Sequence, residues 1–138
     1  MNAPRILARG LTGASYALLG FDAARTPGLR VDMARPMLAA IRKVAPLPAD
    51  DETIVRANGA LQAVAGVLLA AGVYPRLNAL ALAGSLVPTT LAGHSFWNIE
   101  DPTQRKLQET QFRKNMALLG GLVFAILAER PSDNLAVR

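Results

Sequence analysis

Long uncharged runs separated by charge-rich stretches dominate the chain. The longest extends from Leu77 to Ile99, 23 residues without a formal charge, and a second from Ala57 to Tyr74, with Arg56 before it and Arg76 just beyond. A bilayer's hydrocarbon core is about 30 Å thick and takes roughly 20 helical residues at about 1.5 Å each, so both runs are long enough to cross it. Only Tyr74-Pro75-Arg76 separates them. That leaves room for a tight turn alone, and spans over 55–74 and 77–96 are expected to form an antiparallel hairpin.

Two shorter runs need help from their flanks. Met116 to Ala128 is uncharged between Lys114 and Glu129, and Gly10 to Phe21 follows Arg5 and Arg9. Each reaches spanning length if a flanking cation lays its aliphatic stem in the apolar layer and raises its charge to the interface, giving spans over 112–129 and 5–24. A signal peptide is the competing assignment for the first run, with Arg5 and Arg9 as its basic start, but Asp22 stands where a cleavage site belongs. A buried helix of a water-soluble core is the other alternative, and the length of the hairpin spans argues against it. The expected fold is all-α, an antiparallel four-helix transmembrane bundle forming a single integral membrane domain over 1–138.

The loop from Arg25 to Thr53 is too long to be a plain connection. Leu29, Met33, Met37, Leu38, Ile41 and Val44 recur at three-to-four spacing against Arg30, Asp32, Arg35, Arg42 and Lys43. This predicts an amphipathic interfacial helix over 29–45 in the first long loop, lying in the head-group plane, with Pro36 breaking it or starting a second short helix. Pro46 to Glu52 predicts an exposed turn. Small residues at helical spacing, Gly59 and Ala63, Gly66 and Ala70, Ala81 and Ser85, and Gly120-Gly121, predict close helix packing. Pro88 removes one backbone hydrogen bond, and the hydroxyls of Ser85, Thr89 and Thr90 are placed to satisfy freed carbonyls.

Composition sharpens this picture. Hydrophobic residues make up 51% but aromatic ones only 5%, so Ala, Leu, Gly and Val supply the apolar surface, as suits helices packed through small side chains. With no cysteine, thiol chemistry and covalent haem attachment are excluded for this chain alone. The net charge of +5 collects at the ends of the apolar runs, which points to phospholipid head groups; no basic stretch is interleaved with stacking aromatics as nucleic-acid binding requires. Arg25, Arg30, Arg35, Arg42, Lys43, Arg56, Arg105, Lys106, Arg113 and Lys114 share one side of a four-span arrangement. Arg5, Arg9, Arg76, Arg130 and Arg138 share the other. The bias places the long loops in the cytoplasm.

Antiparallel spans also bring Asp22, Arg56, Asn58, Gln62, Thr89, Thr90, His94, Trp97, Lys114 and Asn115 toward one face. Taken singly, Arg9, Arg56, Arg76, Trp97 and Lys114 read as membrane-interface anchors, and His94 as a helix-end group. Amides such as Asn58 and Asn115 inside apolar spans are costly unless bonded to each other or to a ligand. Together Asn58, Gln62, Thr90, His94, Trp97, Lys114 and Asn115 therefore define a candidate ligand pocket, in which His94 polarises a quinone carbonyl and Trp97 stacks on a flat ring. Quinone is the one cofactor this arrangement suggests. One histidine and scattered carboxylates do not make a usual transition-metal set, no phosphate loop or nucleophile elbow is present, and no catalytic residue stands out. A small solute transporter would need an internal repeat or an ionisable residue at mid-depth, and Asp22, Arg56 and His94 all sit at ends.

Leu91-Ala92-Gly93-His94-Ser95-Phe96-Trp97, a short charged loop, then Lys114-Asn115-Met116-Ala117-Leu118-Leu119-Gly120-Gly121-Leu122 resembles the signature region of the DoxX family. Arg5-Ile6-Leu7, the long first loop and Asn58-Gly59 are also similar, so the likeness covers nearly the whole chain. It implies a small four-helix bacterial inner-membrane protein in a family named from a subunit associated with terminal quinol oxidation. Most members have no assigned reaction. The expected role is accordingly an accessory or partner-binding subunit of a membrane redox or oxidative-stress system, with the bilayer and redox enzyme subunits as partners. A quinone- or lipid-binding oxidoreductase component using His94 is the alternative.

Overall fold

The computed structural model describes residues 3–47 and 50–128, and within them every regular element is helical. The helices are α1 (Ala3–Arg25), α2 (Leu29–Arg42), α3 (Asp51–Ala71), α4 (Pro75–Gly93) and α5 (Pro102–Ala128), with one 3₁₀ turn at Phe96–Asn98. Glu129, Arg130 and Arg138, and two residues of the expected turn at 46–52, lie outside the described residues.

Packing runs in series: α1 lies along α3, α3 along α4, and α4 along α5, while α2 rests across α3 and α4. The α1–α3 contact is the most extensive, and glycine makes it possible. Gly13 and Gly20 of α1 meet Gly66 and Gly59 of α3 in antiparallel register; a Cβ on Gly13 would stand 2.6 Å from the Ala70 nitrogen. The expected packing role holds for Gly59, Ala63, Gly66 and Ala70. Gly120 and Gly121 depart from it, since nothing lies within 4 Å of a Cβ built on either. Tyr16, Ala65, Leu69, Ala79, Leu82, Leu86 and Leu122 close the core between the helices.

Cap chemistry sets most helix ends. Asp50 accepts from the Thr53 amide at 2.9 Å to start α3. Gly72, at φ 74°, ends it with amides of Gly72 and Val73 donating to Leu69 and Leu68, the paired bonds of a Schellman turn. Tyr74 follows in the left-handed region at φ 42°, and Pro75 opens α4. The buried Asn78 side chain donates to the carbonyls of Val73 and Tyr74 at 2.8 and 3.2 Å, clasping the turn that the sequence placed here.

Several bounds differ from expectation: α2 ends at Arg42 and not at 45, and α3 runs over Asp51–Ala71 and not 55–74, so that Asp51 and Glu52 of the expected turn are helical. α4 stops at Gly93 although the uncharged run continues to Ile99, because His94 leaves helical geometry at φ −133° and the chain turns through Phe96–Asn98. α5 starts ten residues earlier than 112. Asp101 accepts from the Gln104 amide at 2.7 Å, Pro102 fits the first helical position, and Glu109 pairs with Lys106 and Arg113 along the exposed first turns. Pro36 neither breaks nor restarts α2, which is tied down by Arg30–Asp22 at 2.7 Å before it and Arg42–Asp51 at 2.6 Å after it.

α3 is long and apolar enough to cross a membrane, and only 28% of its apolar window is buried in the protein. No other described helix meets that measure by length and composition. Arg5, Arg9 and Asp22 interrupt α1, Arg76, Asn78 and three hydroxyls dilute α4, and the first half of α5 is charged.

Candidate functional site

Most of the polar residues singled out from the sequence sit on α3, α4 and α5, with Asp22 on α1 and His94 and Trp97 in the turn between α4 and α5, and four of them bond in pairs. Ser85 is the hub. Its hydroxyl donates to Asn58 Oδ1 at 2.7 Å and accepts from Gln62 Nε2 at 2.8 Å. Asn58 Nδ2 donates to Thr89 Oγ1 at 3.2 Å, and Thr89 in turn donates to the Ser85 carbonyl at 2.7 Å, one residue along from the carbonyl that Pro88 leaves without its helical donor. Gln62 is 7% exposed, so these bonds meet needs that water does not. Because the pairs 58–89 and 62–85 keep a constant sum, the ladder also records the antiparallel register of α3 and α4.

A second link joins α4 to α5: Asn115 Nδ2 donates to Thr90 Oγ1 at 3.0 Å, and Thr90 is fully buried. At the end of α4, His94 Nδ1 lies 2.7 Å from Gln108 Oε1, the imidazole N–H donating as the amide is oriented. The Phe96, Trp97 and Phe112 rings meet edge to face, with centroids 5.2–5.9 Å apart. Trp97 keeps 52% of its surface exposed.

Of the seven candidate pocket residues, Asn58 and Gln62 are thus joined through Ser85, and Thr90 with Asn115; His94 and Trp97 contact α5 further out, and Lys114 is exposed. Two open surface clefts, one along the first turns of α5 and one between α1 and α5, are lined by none of them. The sequence pattern had not marked Gln108 or Phe112 as partners of His94 and Trp97, since both fall in the charged stretch before the last apolar run. Among the described residues no three His, Asp or Glu side chains gather as a metal site would require.

The proposed anchors also have specific contacts. Arg56 Nη1 donates to the carbonyls of Ala24 and Arg25 at 2.6 and 2.9 Å, capping α1, while its other nitrogens pair with Glu52. The Arg9 guanidinium lies over Gly72 at the end of α3. The antiparallel pair α1 and α3 therefore places an arginine from each helix at the C-terminal, negative end of the other. Arg76 follows the α3–α4 turn, half-buried.

Comparison of the chain with protein-family models, with curated proteins and with solved structures found no match in any of the three.

Proposed function

We propose that this chain is a four-span integral membrane protein of DoxX type that serves a membrane redox or oxidative-stress system as an accessory, partner-binding subunit. The observation that carries the membrane assignment is an inverted distribution of polarity. Leu18, Phe124 and Leu127 are 73%, 73% and 76% exposed, with Leu7, Leu11, Val64, Leu77 and Leu80 also outward, while Gln62, Asn78, Ser85 and Thr90 are buried. Water would penalise that arrangement on every long helix; lipid rewards it. Each of the two stretches that resemble the DoxX signature touches the residues just before the other, Asn115 bonding Thr90 and Trp97 meeting Phe112, which supports reading the region as one unit.

The accessory role is favoured because the buried amides and hydroxyls satisfy one another and α2 with the first turns of α5 spreads a charged surface at one end. Alkaline extraction of membranes, followed by mass spectrometry of what co-purifies in mild detergent, tests both parts. Retention in the membrane with a dehydrogenase or oxidase subunit is expected; release into the aqueous phase refutes the assignment.

The exposed Trp97, seated on Phe96 and Phe112 near His94, favours a quinone-binding component as the second possibility. A quinone that stacks there quenches the emission of Trp97, the chain's single tryptophan. Unchanged emission across a quinone titration excludes it. His94 ends α4 and is not at mid-bundle, so the transporter alternative gains nothing from it.

A further inference from the structure

The order of polar and apolar positions along α2 divides its surface three ways. Val31, Ala34, Leu38 and Ile41 form the row laid on α3 and α4, with Leu38 buried and the others half-buried. Arg35, Ala39 and Arg42, then Lys43, follow one flank of that row. Leu29, Met33 and Ala40 follow the other, with Val44 in the turn that closes the helix. Nine residues, about two and a half turns, separate Met33 from Arg42, so the two flanks point in opposite directions. Leu29 and Val44 are 78% and 87% exposed, more than any other large hydrophobic side chain among the described residues.

Ion pairs decide which way each flank is turned. Arg42 reaches Asp51, the first residue of α3, at 2.6 Å, and Arg35 lies 3.7 Å from the same carboxylate. Their flank therefore faces the outer end of the helix stack. Arg30 pairs instead with Asp22 at 2.7 Å. Gly59 packs on Gly20 and Ala24, which puts Asp22 level with Gly59, eight residues and about 12 Å inward of Asp51. The flank of Leu29, Met33 and Val44 lies on the Arg30 side and so faces the middle of the stack. There it continues the apolar surface of Leu18 and Phe21, which adjoin Asp22 on α1 and are 73% and 58% exposed.

The same pairs engage the charge of α2. Asp22, Asp32 and Asp51 take Arg30, Arg35 and Arg42. A basic amphipathic helix that seeks anionic lipid offers its cations to head groups, whereas these arginines hold the helix to its own protein. We propose that α2 is a lipid-binding element of one leaflet, with Leu29, Met33 and Val44 sunk among acyl chains beside the bundle, the opposite flank in water, and no preference for anionic head groups. The proposal rests on the membrane assignment above and adds the depth, the roll and the lipid chemistry of this helix.

The chain contains no cysteine, so a single introduced one reports on each flank without background. Spin labels are placed on Leu29→Cys and Val44→Cys on one flank and on Ala39→Cys and Lys43→Cys on the other, all four positions being exposed. The full chain is reconstituted into phosphatidylcholine vesicles, and collisions are measured with oxygen, which concentrates in the acyl layer, and with a water-soluble nickel chelate. Oxygen is expected to dominate at Leu29→Cys and Val44→Cys, at depths of about 5–10 Å into the boundary of head groups and acyl chains, and nickel at Ala39→Cys and Lys43→Cys. Adding phosphatidylglycerol to the vesicles is expected to leave these depths unchanged. Nickel dominance at Leu29→Cys and Val44→Cys, in a chain that alkaline extraction leaves in the membrane, overturns this proposal alone and gives the flank to a protein partner. Equal accessibility of the two flanks also overturns it, as does insertion that appears only with phosphatidylglycerol, which would make charge the attraction. Release of the unlabelled chain by alkaline extraction overturns the membrane assignment first, and this proposal with it.

Discussion

Gly59 and Gly20 stand back to back where α3 crosses α1: a Cβ on Gly59 would lie 2.8 Å from the Gly20 carbonyl oxygen and 2.6 Å from the Ala24 nitrogen. Both obstacles are backbone, so neither helix relieves the clash by turning a side chain. Gly59→Leu is expected to pry the pair apart and cost about 3 kcal/mol. Gly120→Ala, where nothing obstructs, is expected to stabilise by about 0.5–1 kcal/mol through helix propensity. Reversible unfolding in mixed detergent micelles, followed by circular dichroism, compares the two; equal effects would remove the steric account of the seam.

Ser85 bridges two amides, so its loss strands both. Ser85→Ala is expected to cost about 1–2 kcal/mol by leaving Gln62 Nε2 and Asn58 Oδ1 without their shared hydroxyl. Adding Gln62→Leu removes one stranded group, and the double variant should lose less than the two single losses combined. A thermodynamic cycle that is strictly additive would show that the hydrogen bonds carry no coupling.

Arg56 holds the last turn of α1 from another helix. Arg56→Met is expected to leave the Ala24 and Arg25 carbonyls without these donors, at about 1 kcal/mol, and to speed amide exchange in the terminal turn, including the Thr26 amide that donates to Asp22. Hydrogen exchange with residue resolution checks this, since a change spread over all of α1 would point to the α1–α3 seam and away from the cap.

The Thr53 amide, followed by the Thr53 hydroxyl, holds the Asp50 carboxyl below its ordinary pKa. A folded value lower than the unfolded one means that the cap contributes fully above the unfolded pKa of about 3.9 and fades as pH falls through the folded value. Acidification below pH about 4 is therefore expected to fray the first turn of α3. Asp50→Asn keeps an acceptor and should flatten that pH dependence, as read from the Thr53 amide shift in an NMR titration.

Helix positions were legible because uncharged runs of this length do little else, and the turn between the two long runs showed in Tyr74-Pro75-Arg76 and the shortness of the break, though not in Gly72, which ends α3. Ends were harder to read where hydropathy and helicity part company. His94 to Ile99 is apolar enough to continue α4, yet the backbone leaves the helix there; Pro102 to Gln111 is charged, yet helical, because capping and i,i+4 pairs sustain a helix in water without an apolar face. The polar ladder was visible only as an inventory. Asn58, Gln62 and Thr90 stand out as expensive residues in apolar runs, but their partners depend on interhelical register, which side-chain type does not encode. Gly13 and Gly20 repeat the seven-residue spacing of Gly59 and Gly66, a signal that lies only in the comparison of two distant segments.

That repetition extends to the whole buried stripe of α1. Gly13, Tyr16, Gly20 and Ala23 of α1 correspond, at a constant offset of 46, to Gly59, Gln62, Gly66 and Leu69 of α3. The two halves of the seam leave the ribosome far apart: Gly13 emerges 53 residues before the Gly66 it meets, roughly 3–10 s earlier at ordinary elongation rates. During that interval α1 has no mate, and its glycine groove faces whatever surrounds the nascent chain. α3 and α4, by contrast, are joined by a few residues and find each other almost at once. Assembly is thus ordered by the spacing along the chain, with the tightest contact in the protein among the last that its first helix can make.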